Sequence, residues 1–329
     1  MTKPWVSALA LSFVEEGTLS LLDPVEKYLP EFSGLRVGRE VGEGIVYEPL
    51  KRPLTVYDLL RHTAGLTYGV FFRSPVKGLY LEAGVDRFDL SREVFLERLA
   101  ALPLRFQPGE TFEYGLATDL LGHLLEALAG RSLAELLEER LFRPLGMKDS
   151  GFQAKDPARL AQPFPKDPET GHSLRLLPVE TPPPRYAGGM GGVGTAADYL
   201  AFLEALRLGR GALSPTMAGF MVQDHLGSLY PEALKRGPEY LPGPGYSFGL
   251  GVAVRVEPMG YSPGALGEWT WAGFGGTFFF VDPLQEITAL YLAQAPNLLS
   301  VLEPEKALHS RLGARLQHAF RTLVYLGLE

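Results

Sequence analysis

A serine followed three residues later by a lysine can form a nucleophilic pair when a helix carries both side chains. Ser74 and Lys77 have this spacing. Positions three apart share one face of a helix, so the ammonium can lower the proton affinity of the hydroxyl. Pro75 lies between them in a segment flanked by glycines, which favours a loop over a helix. We therefore expect no nucleophilic pair at Ser74 and Lys77.

Two glycine patterns also match motifs that carry chemistry, but their surroundings argue against both. Gly189, Gly191 and Gly194 satisfy the G-x-G-x-x-G pattern of dinucleotide-binding loops, yet a proline-rich segment precedes them where that fold requires a strand. Residues 245–249 satisfy the G-x-S-x-G pattern of a nucleophile elbow, which needs a strand before the serine and a helix after it. Here a PGPG turn comes before and a strand-like run follows. We expect neither pattern to be functional.

The histidines occur singly, with no His-x-x-x-His pair to bind a metal. The chain has no cysteine, which excludes disulfides, thiolate metal sites and cysteine nucleophiles. We expect capping or surface roles for the histidines, and neither a metal nor an organic cofactor. The histidines are His62, His123, His172, His225, His309 and His318.

The first two thirds of the chain are patterned mainly for helices. A run that is apolar on almost every side, from Trp5 to Val14, predicts a buried helix ended by Gly17. Leucines at helical spacing predict the longest helix between about Tyr114 and Gly130. Capping boxes, in which an acid three residues on answers the N-cap side chain, mark further helix starts. They are Asp23 with Glu26, Thr55 with Asp58, Ser132 with Glu135 and Thr195 with Asp198.

Strand-like runs follow Tyr246. The segments FGLGVAVRVE, GTFFFVDP and EITALYLAQ are rich in β-branched and aromatic residues and predict strands, the last two joined by a short Asp-Pro turn. Prolines between Lys155 and Tyr186 predict an irregular crossing segment, and a final amphipathic helix is expected from about Glu305 to Leu326. Helices gathered in one part and strands in another indicate an α+β fold.

Composition excludes several classes of protein. The 329 residues include 31 basic and 38 acidic side chains, and the net charge of −7 argues against a nucleic-acid or anionic-membrane partner. No apolar run approaches the roughly 18 residues of a membrane-spanning helix. The opening is similar to a signal peptide, but its apolar stretch is shorter than the ~7 residues that such a peptide requires. Asn297 is the only asparagine and arginine outnumbers lysine, which suggests a thermophile.

Six segments, taken in order, carry a resemblance to a known family. They are MTKPWVSALALSFVEEGTLSLLDPVEKYLPEF, TVYDLLRHTAGLTYG, PGETFEYGLATDLLGHLLEALAG, LFRPLGMKDSGF, YAGGMGGVGTAADYLAFL and WTWAGFGGTFFFVDP. In this order and spacing the chain resembles the serine β-lactamase-related hydrolases, in the branch that holds class C β-lactamases and family VIII carboxylesterases. The resemblance covers essentially the whole chain. It implies an antiparallel sheet flanked by helices (residues 1–20 and 240–329), a mostly helical domain (residues 21–239) and an active site in the cleft between them.

The resemblance also implies site residues. Lys3 matches the lysine of the family's Ser-x-x-Lys motif, and Tyr114 matches a tyrosine about a hundred residues later. Trp271-Ala272-Gly273 matches the third motif, a strand reading Lys, His or Trp-x-Gly, and Phe274 after it would donate an oxyanion N–H. An ammonium beside a tyrosine, whose ordinary pKa is about 10, suits that phenol to act as a general base.

Two departures from the family pattern bear on function. The middle motif reads Tyr114-Gly115-Leu116 where lactamases have Tyr-x-Asn, so a polar contact to an amide substrate is absent. The motif serine belongs three residues before Lys3, one place ahead of Met1, and the family's first helix and two strands would lie further upstream. We expect a mis-assigned start codon or, failing that, a truncated protein. Ser7 extends along the helix away from the expected cleft, and Thr2 could act as a nucleophile only if Met1 were removed.

The sequence therefore predicts a serine hydrolase of esterase type that acts on small uncharged esters, or amides, through an acyl-enzyme. The alternative is a catalytically inactive remnant that binds a ligand or a protein partner in the old cleft. Without the upstream strands one edge of ITALYLAQ would be unpaired, which predicts self-association through that edge. The natural acyl group, the oligomeric state and the compartment stay open, and a cytoplasmic location is expected if Met1 is the true start.

Overall fold

The computed structural model describes residues 1–70, 74–167, 170–174, 177–230, 242–295 and 313–328. Its helices are α1 (Thr2–Glu15), α2 (Val56–Leu60), α3 (Pro75–Ala83), α4 (Arg92–Ala100), α5 (Ala117–Ala129), α6 (Leu133–Leu137), α7 (Ala196–Leu208), α8 (Pro215–Met221) and α9 (Gly313–Leu326). Its strands are β1 (Arg36–Val41), β2 (Gly44–Pro49), β3 (Tyr246–Phe248), β4 (Ala253–Arg255), β5 (Trp269–Ala272), β6 (Phe278–Asp282) and β7 (Ile287–Tyr291). The predicted α+β layout is confirmed.

The main sheet is an antiparallel meander in which strands β3 to β7 pair in chain order. The register sets Trp271 of β5 opposite Phe279 of β6, and Phe280 of β6 opposite Ala289 of β7. The strands expected within GTFFFVDP and EITALYLAQ are confirmed as β6 and β7. A separate antiparallel hairpin of β1 and β2 lies among the helices of the first half, and the sequence patterns did not reveal it.

The segment FGLGVAVRVE does not form the single strand that its composition predicts. Its first residue ends β3 and its middle forms β4, with a turn between them. Gly251 has a φ of +96°, which side chains rarely tolerate, and the Gly249 N–H closes the turn on the Val252 carbonyl at 2.8 Å. The prediction was wrong because the two glycines reverse the chain inside the run.

The two long helices expected from apolar patterning are present. Helix α1 contains the predicted run from Trp5 to Val14 and extends to Glu15. Helix α5 lies inside the range predicted for the longest helix and is ended by Gly130 at a φ of +66°, but its 13 residues make it shorter than α1 and α9, which have 14 each. Helix α5 begins only at Ala117, because residues 114–116 turn the chain into the helix.

The predicted capping boxes are found at two of their four positions. Both reciprocal bonds are present for Thr55 with Asp58 and for Ser132 with Glu135. At α7, Thr195 accepts the Asp198 N–H, but the Asp198 carboxylate bonds to the Asp149 N–H and the Ser150 hydroxyl instead of returning to Thr195.

Two expectations about helix starts were wrong. Asp23 precedes a 3₁₀ turn and not an α-helix, and its carboxylate accepts the Ser20 N–H. Ser74 is the N-cap of α3, with Oγ accepting the Lys77 N–H at 3.4 Å. Pro75 takes the first helical position, where its missing N–H costs nothing. The segment is therefore a helix start and not a loop.

Alternate residues of the sheet pack against opposite layers. Trp269, Trp271 and Phe279 belong to the main apolar cluster, which also contains the buried faces of α1 and α5. Phe278 and Phe280 point the other way and pack against α9. The division into residues 1–20 with 240–329 and residues 21–239 stays a prediction, and the main cluster draws on both parts.

Strand β7 is the last strand of the sheet in the described part of the chain, and no described strand pairs with its outer edge. Leu292, just beyond β7, is 41% exposed. Tyr291 packs against Phe320 of α9, so one face of the strand is covered. Self-association through this edge stays a prediction.

Candidate active site

The first turn of α1 places Lys3 at the centre of the candidate site. Lys3 is 4% exposed, and its Nζ donates to Tyr68 Oη at 3.0 Å and to the Gly189 carbonyl at 3.1 Å. The same ammonium lies 4.8 Å from the centre of the Tyr114 ring. Burial would lower the pKa of Lys3, but the two phenol oxygens and the Asp119 carboxylate outweigh burial and raise that pKa. Lys3 therefore stays an ammonium at neutral pH.

Glycines allow a second segment, residues 189–192, to pack directly against the start of α1. A Cβ at Gly189 would lie 3.0 Å from Lys3 Nζ, and one at Gly192 would lie 2.9 Å from Thr2 Oγ1. The Gly192 N–H donates to Thr2 Oγ1 at 3.0 Å. Close packing on α1 thus accounts for Gly189 of the G-x-G-x-x-G pattern and for the neighbouring Gly192.

The residues on either side of Tyr114 hold it in place. A Cβ at Gly115 would lie 2.5 Å from the Cα of Thr67, so only glycine fits there. Glu113 is 2% exposed and accepts hydrogen bonds from the Thr67 hydroxyl at 2.6 Å and from Arg105 at 3.0 Å. A buried carboxylate with several donors is a rigid anchor, and it fixes the backbone directly before Tyr114.

Aromatic rings surround Tyr114. The ring centres of His62, Trp271 and Tyr68 lie 4.7, 5.3 and 5.7 Å from the centre of Tyr114. Burial, with Lys3 nearby, lowers the pKa of His62 well below its usual range, so the imidazole is neutral. His62 also has a φ of +55°, a strained conformation for a side-chain-bearing residue that is often found at functional sites.

The turn after β5 carries Gly273 and Phe274 to the beginning of α1. A Cβ at Gly273 would lie 3.1 Å from the Met1 nitrogen. The Gly273 N–H donates to the Thr277 carbonyl at 2.8 Å, whereas no described residue accepts a hydrogen bond from the Phe274 N–H. The Phe274 N–H is therefore available to donate a hydrogen bond to a bound ligand.

Two of the serines singled out in the sequence form hydrogen bonds away from Lys3, whereas the buried Ser7 hydroxyl has no hydrogen-bond partner among the described residues. Ser7 is 1% exposed and packs on Gly251 of the β3–β4 turn. Ser247 is fully buried and donates to Asp224, and Ser74 caps α3. Lys77 Nζ lies 3.4 Å from Glu113. The G-x-S-x-G and Ser-x-x-Lys patterns thus have structural explanations.

The structure brings together the residues that the resemblance selected. Lys3, Tyr114 and Trp271 form a continuous set of ring and ammonium contacts, with Gly273 beside Met1. Two neighbours of Lys3 were not anticipated. The sequence could have indicated Asp119, because it is an acid within the leucine-rich run that forms α5. It could not have indicated Tyr68, which lies in a stretch without helical or strand periodicity.

Metal sites and membrane spans are both lacking in the described ranges. There, no group of three His, Asp or Glu side chains lies close enough together to hold a metal ion. None of the helices in these ranges combines the length and apolar character that a membrane crossing requires.

Comparison with known proteins confirms the resemblance. A profile of the family described as Beta-lactamase matches residues 1–309. Esterase EstB of Burkholderia gladioli is 34% identical, over 89% of this chain and 75% of EstB. The structure of EstCE1, described as a hydrolase with promiscuous acyltransferase activity, has a TM-score of 0.73 and 29% identity, over 94% of this chain and 83% of EstCE1. Unliganded simvastatin synthase (LovD) from Aspergillus terreus shares the fold, with a TM-score of 0.81 and 23% identity over 100% of this chain and 82% of LovD. The chain belongs to the β-lactamase family and has its fold.

Proposed function

We propose that this protein is a serine hydrolase of carboxylesterase type that forms an acyl-enzyme with small uncharged esters. The observation that carries the proposal is the position of the Lys3 ammonium, bonded to Tyr68 and facing the Tyr114 ring, at the end of α1 that lies beside Gly273. This arrangement supplies a fixed cation in contact with two phenols, and Met1 at the same end of α1 lies against Gly273 in the turn that carries the Phe274 N–H.

The nucleophile in this proposal is a serine three residues before Lys3, one place upstream of Met1. Residues three apart on a helix are neighbours on one face, so this hydroxyl would lie beside Lys3 and Gly273. The engagement of Ser7, Ser74 and Ser247 in packing, capping and a buried hydrogen bond supports an upstream nucleophile over any of these three.

The proposed reaction has two halves. The serine oxygen attacks the ester carbonyl while its proton passes to Tyr114, the general base, and the oxyanion is held by the Phe274 N–H together with the serine's own N–H. Tyr114 then gives the proton to the departing alkoxide, which leaves as an alcohol. A water repeats the sequence on the acyl-enzyme and releases the acid. In this scheme Tyr114 accepts the serine proton as a phenolate, and Lys3 stays an ammonium throughout and stabilises that negative charge.

Trp271 supports the choice of uncharged substrates. Lactamases have Lys or His at the matching position, and that cation pairs with the substrate carboxylate. Trp271 is 6% exposed and packs between the rings of Tyr114 and Phe248, at 5.3 and 5.1 Å, so it offers an apolar wall with no charge. The names of EstB and EstCE1, an esterase and a hydrolase, agree with ester cleavage.

A fluorophosphonate probe, which labels activated serines regardless of the natural substrate, tests the proposal. We expect no labelling of the 329-residue chain and stoichiometric labelling once the upstream codons are added. In the longer protein Lys3→Ala and Tyr114→Phe should abolish labelling.

The matched controls are the other serines of the chain. Ser7→Ala, Ser74→Ala and Ser247→Ala should label as strongly as the parent. Labelling of the 329-residue chain, mapped by mass spectrometry to one of these serines, would overturn the placement of the nucleophile. An in-frame stop codon immediately upstream, with no labelling, would favour a non-catalytic protein that binds a ligand in the cleft.

A further inference from the structure

A second charged residue lies behind Lys3 and has no part in the mechanism described so far. Asp119 belongs to the first turn of α5 and is fully buried. Its Oδ1 lies 3.4 Å from Arg185 Nη1, whereas its Oδ2 is buried without a hydrogen-bond partner among the described residues. A buried carboxylate oxygen without a donor is costly, so its retention calls for an explanation.

Asp119 and Lys3 face each other across the backbone of Gly189. A Cβ built on Gly189 would overlap Asp119 Oδ2 and lie 3.0 Å from Lys3 Nζ. The missing side chain therefore leaves the carboxylate and the ammonium on either side of one small gap. The Gly189 carbonyl also accepts the Lys3 hydrogen bond at 3.1 Å, so one residue both spaces and orients the ammonium.

Arg185 holds Asp119 from the opposite side. The Arg185 side chain is fully buried, its guanidinium lies 4.0 Å from the centre of the Phe95 ring, and Nη2 donates to the Arg87 carbonyl at 3.2 Å. Asp119 thus has one cation on each side, and neither charge can move into solvent without disturbing the core. A carboxylate so fixed acts on its neighbours through its charge.

We propose that Asp119 is a positioning residue for the proposed hydrolase. Its negative charge keeps the buried Lys3 side chain protonated, and the absence of a side chain at Gly189 lets the two groups lie close enough to interact. The inference rests on the proposed function for the role of Lys3, but the charge coupling itself is a property of the resting protein. An opposite charge within ~4–6 Å raises the pKa of a buried amine by about 1–3 units, which can offset the effect of burial.

Several other groups face these two residues. Lys3 also meets the phenols of Tyr68 and Tyr114, the neutral imidazole of His62 and the amine of Met1. These four lie on elements other than α5, so they remain when Asp119 is changed.

Asp119 itself meets Arg185 and Asp86. Burial raises the pKa of Asp86 to about 7, and Asp119 beside it adds to the effect. Asp86 accepts the Gly69 N–H at 2.8 Å, and it is not among the groups whose charge acts on Lys3. Asp86 is therefore the natural control, because it is a buried carboxyl of the same cluster that does not act directly on Lys3.

The protonation state of Lys3 can be followed by ¹⁵Nζ and ¹³Cε NMR of the lysine-labelled 329-residue chain, with the signal assigned by its loss in Lys3→Arg. We expect the parent to show an ammonium up to the highest pH at which it stays folded. In Asp119→Asn the neutral amine should appear below the pH at which the protein unfolds. Asp86→Asn should show only the ammonium signal over its folded range, as the parent does.

Two further variants protect the test against misfolding. Arg185→Met removes the opposing cation and should leave Lys3 at least as strongly protonated as in the parent. Asp119→Asn combined with Arg185→Met leaves no unpaired buried charge, and it should still show the neutral amine, at a higher pH than Asp119→Asn alone. A Lys3 signal that stays that of an ammonium in both Asp119 variants, at every pH where they are folded, would overturn the inference.

The same variants separate this inference from the proposed function. If the serine-containing protein is inactive while Asp119→Asn still shifts the Lys3 titration, the proposed function fails and the charge coupling stands. If that protein is an active esterase, Asp119→Asn should shift the basic limb of its kcat/KM profile to lower pH. An unshifted limb with an unshifted Lys3 signal rejects the role of Asp119 alone.

Discussion

Lys3 Nζ donates a hydrogen bond to Tyr68 Oη at 3.0 Å, so the ammonium of the candidate site is anchored by a phenol other than the one selected from the sequence. Burial raises the pKa of the Tyr68 phenol, although Lys3 draws it down, and Tyr68 therefore stays protonated at neutral pH. A protonated phenol can hold the ammonium in place but cannot take a proton from a nucleophile. We therefore expect Tyr68 to anchor the ammonium and leave proton transfer to Tyr114, the general base of the proposed mechanism.

Kinetics of phenylalanine variants in the serine-containing protein can test this division. Tyr68→Phe removes one hydrogen bond to a charged group, worth about 1.5–3 kcal/mol, and we expect kcat to fall roughly 10- to 100-fold with KM nearly unchanged. Tyr114→Phe removes the general base and should lower kcat by about 10²–10⁴-fold. Hydrolysis of a nitrophenyl ester gives both values. A larger loss in Tyr68→Phe than in Tyr114→Phe would exchange the two roles.

Substrate charge should decide which acyl donors the protein accepts. Trp271 gives a substrate carboxylate no cation to pair with, and the loss of a charge-assisted hydrogen bond costs about 1.5–3 kcal/mol, tenfold or more in kcat/KM. We expect short nitrophenyl esters to be turned over in preference to a chromogenic cephalosporin. The methyl ester of the same cephalosporin is the matched control, since it differs only in charge and should react faster than its parent. A preference for the free carboxylate would contradict the esterase assignment.

Patterns that span only a few neighbouring residues were enough to predict several helices, helix caps and strands. Helix α1, the Thr55 and Ser132 caps and strands β6 and β7 follow from apolar periodicity and cap chemistry. The β1–β2 hairpin was missed because its strands are half exposed and lack clear alternation. The pair of Lys3 with Tyr114 depended on a resemblance over the whole chain, since 111 positions separate them in sequence.

Contacts between distant loops could not be predicted from the sequence. Tyr68 lies 65 positions from Lys3 in the sequence, and Arg185 lies 66 positions from Asp119, and only the tertiary packing brings each pair together. A glycine in a sequence indicates conformational freedom, but it does not show which residue will pack against it. The clash that a side chain at Gly189 would make with Asp119 is visible only when the backbones are in place.

The ion pair at the start of α2 should make stability depend on pH. Asp58 is fully buried, and both of its oxygens accept from Arg52, at 2.6 and 2.8 Å, while Thr55 and Thr63 donate to the same carboxylate. Burial would raise the pKa of Asp58, but these donors outweigh it and lower that pKa. A lowered folded-state pKa contributes stability that is present above the unfolded value of about 3.9 and is lost as pH falls through the folded value.

Urea unfolding of Asp58→Asn measures that contribution. Because Arg52 is 40% exposed, the loss should fall below the 3–5 kcal/mol typical of a fully buried pair, and we expect about 2 kcal/mol at pH 7 and a smaller difference at pH 3. Asp89→Asn is the control, since Asp89 pairs with Arg87 on the surface and should leave stability nearly unchanged. An equal loss at both pH values would show that shape, and not charge, accounts for the role of Asp58.

The outer edge of β7 should govern the assembly of the 329-residue chain. No described strand pairs with this edge, and Leu292 beyond it is 41% exposed. An open edge with apolar side chains pairs readily with another chain, and a lysine at such an edge opposes that pairing. We expect the chain to sediment as a dimer or larger species, with Leu292→Lys shifting it towards the monomer. Leu22→Lys, at a residue 77% exposed in the helical half, should leave the distribution unchanged. A monomer at all concentrations, with the β7 amides protected from hydrogen exchange, would show that the edge is already covered within one chain.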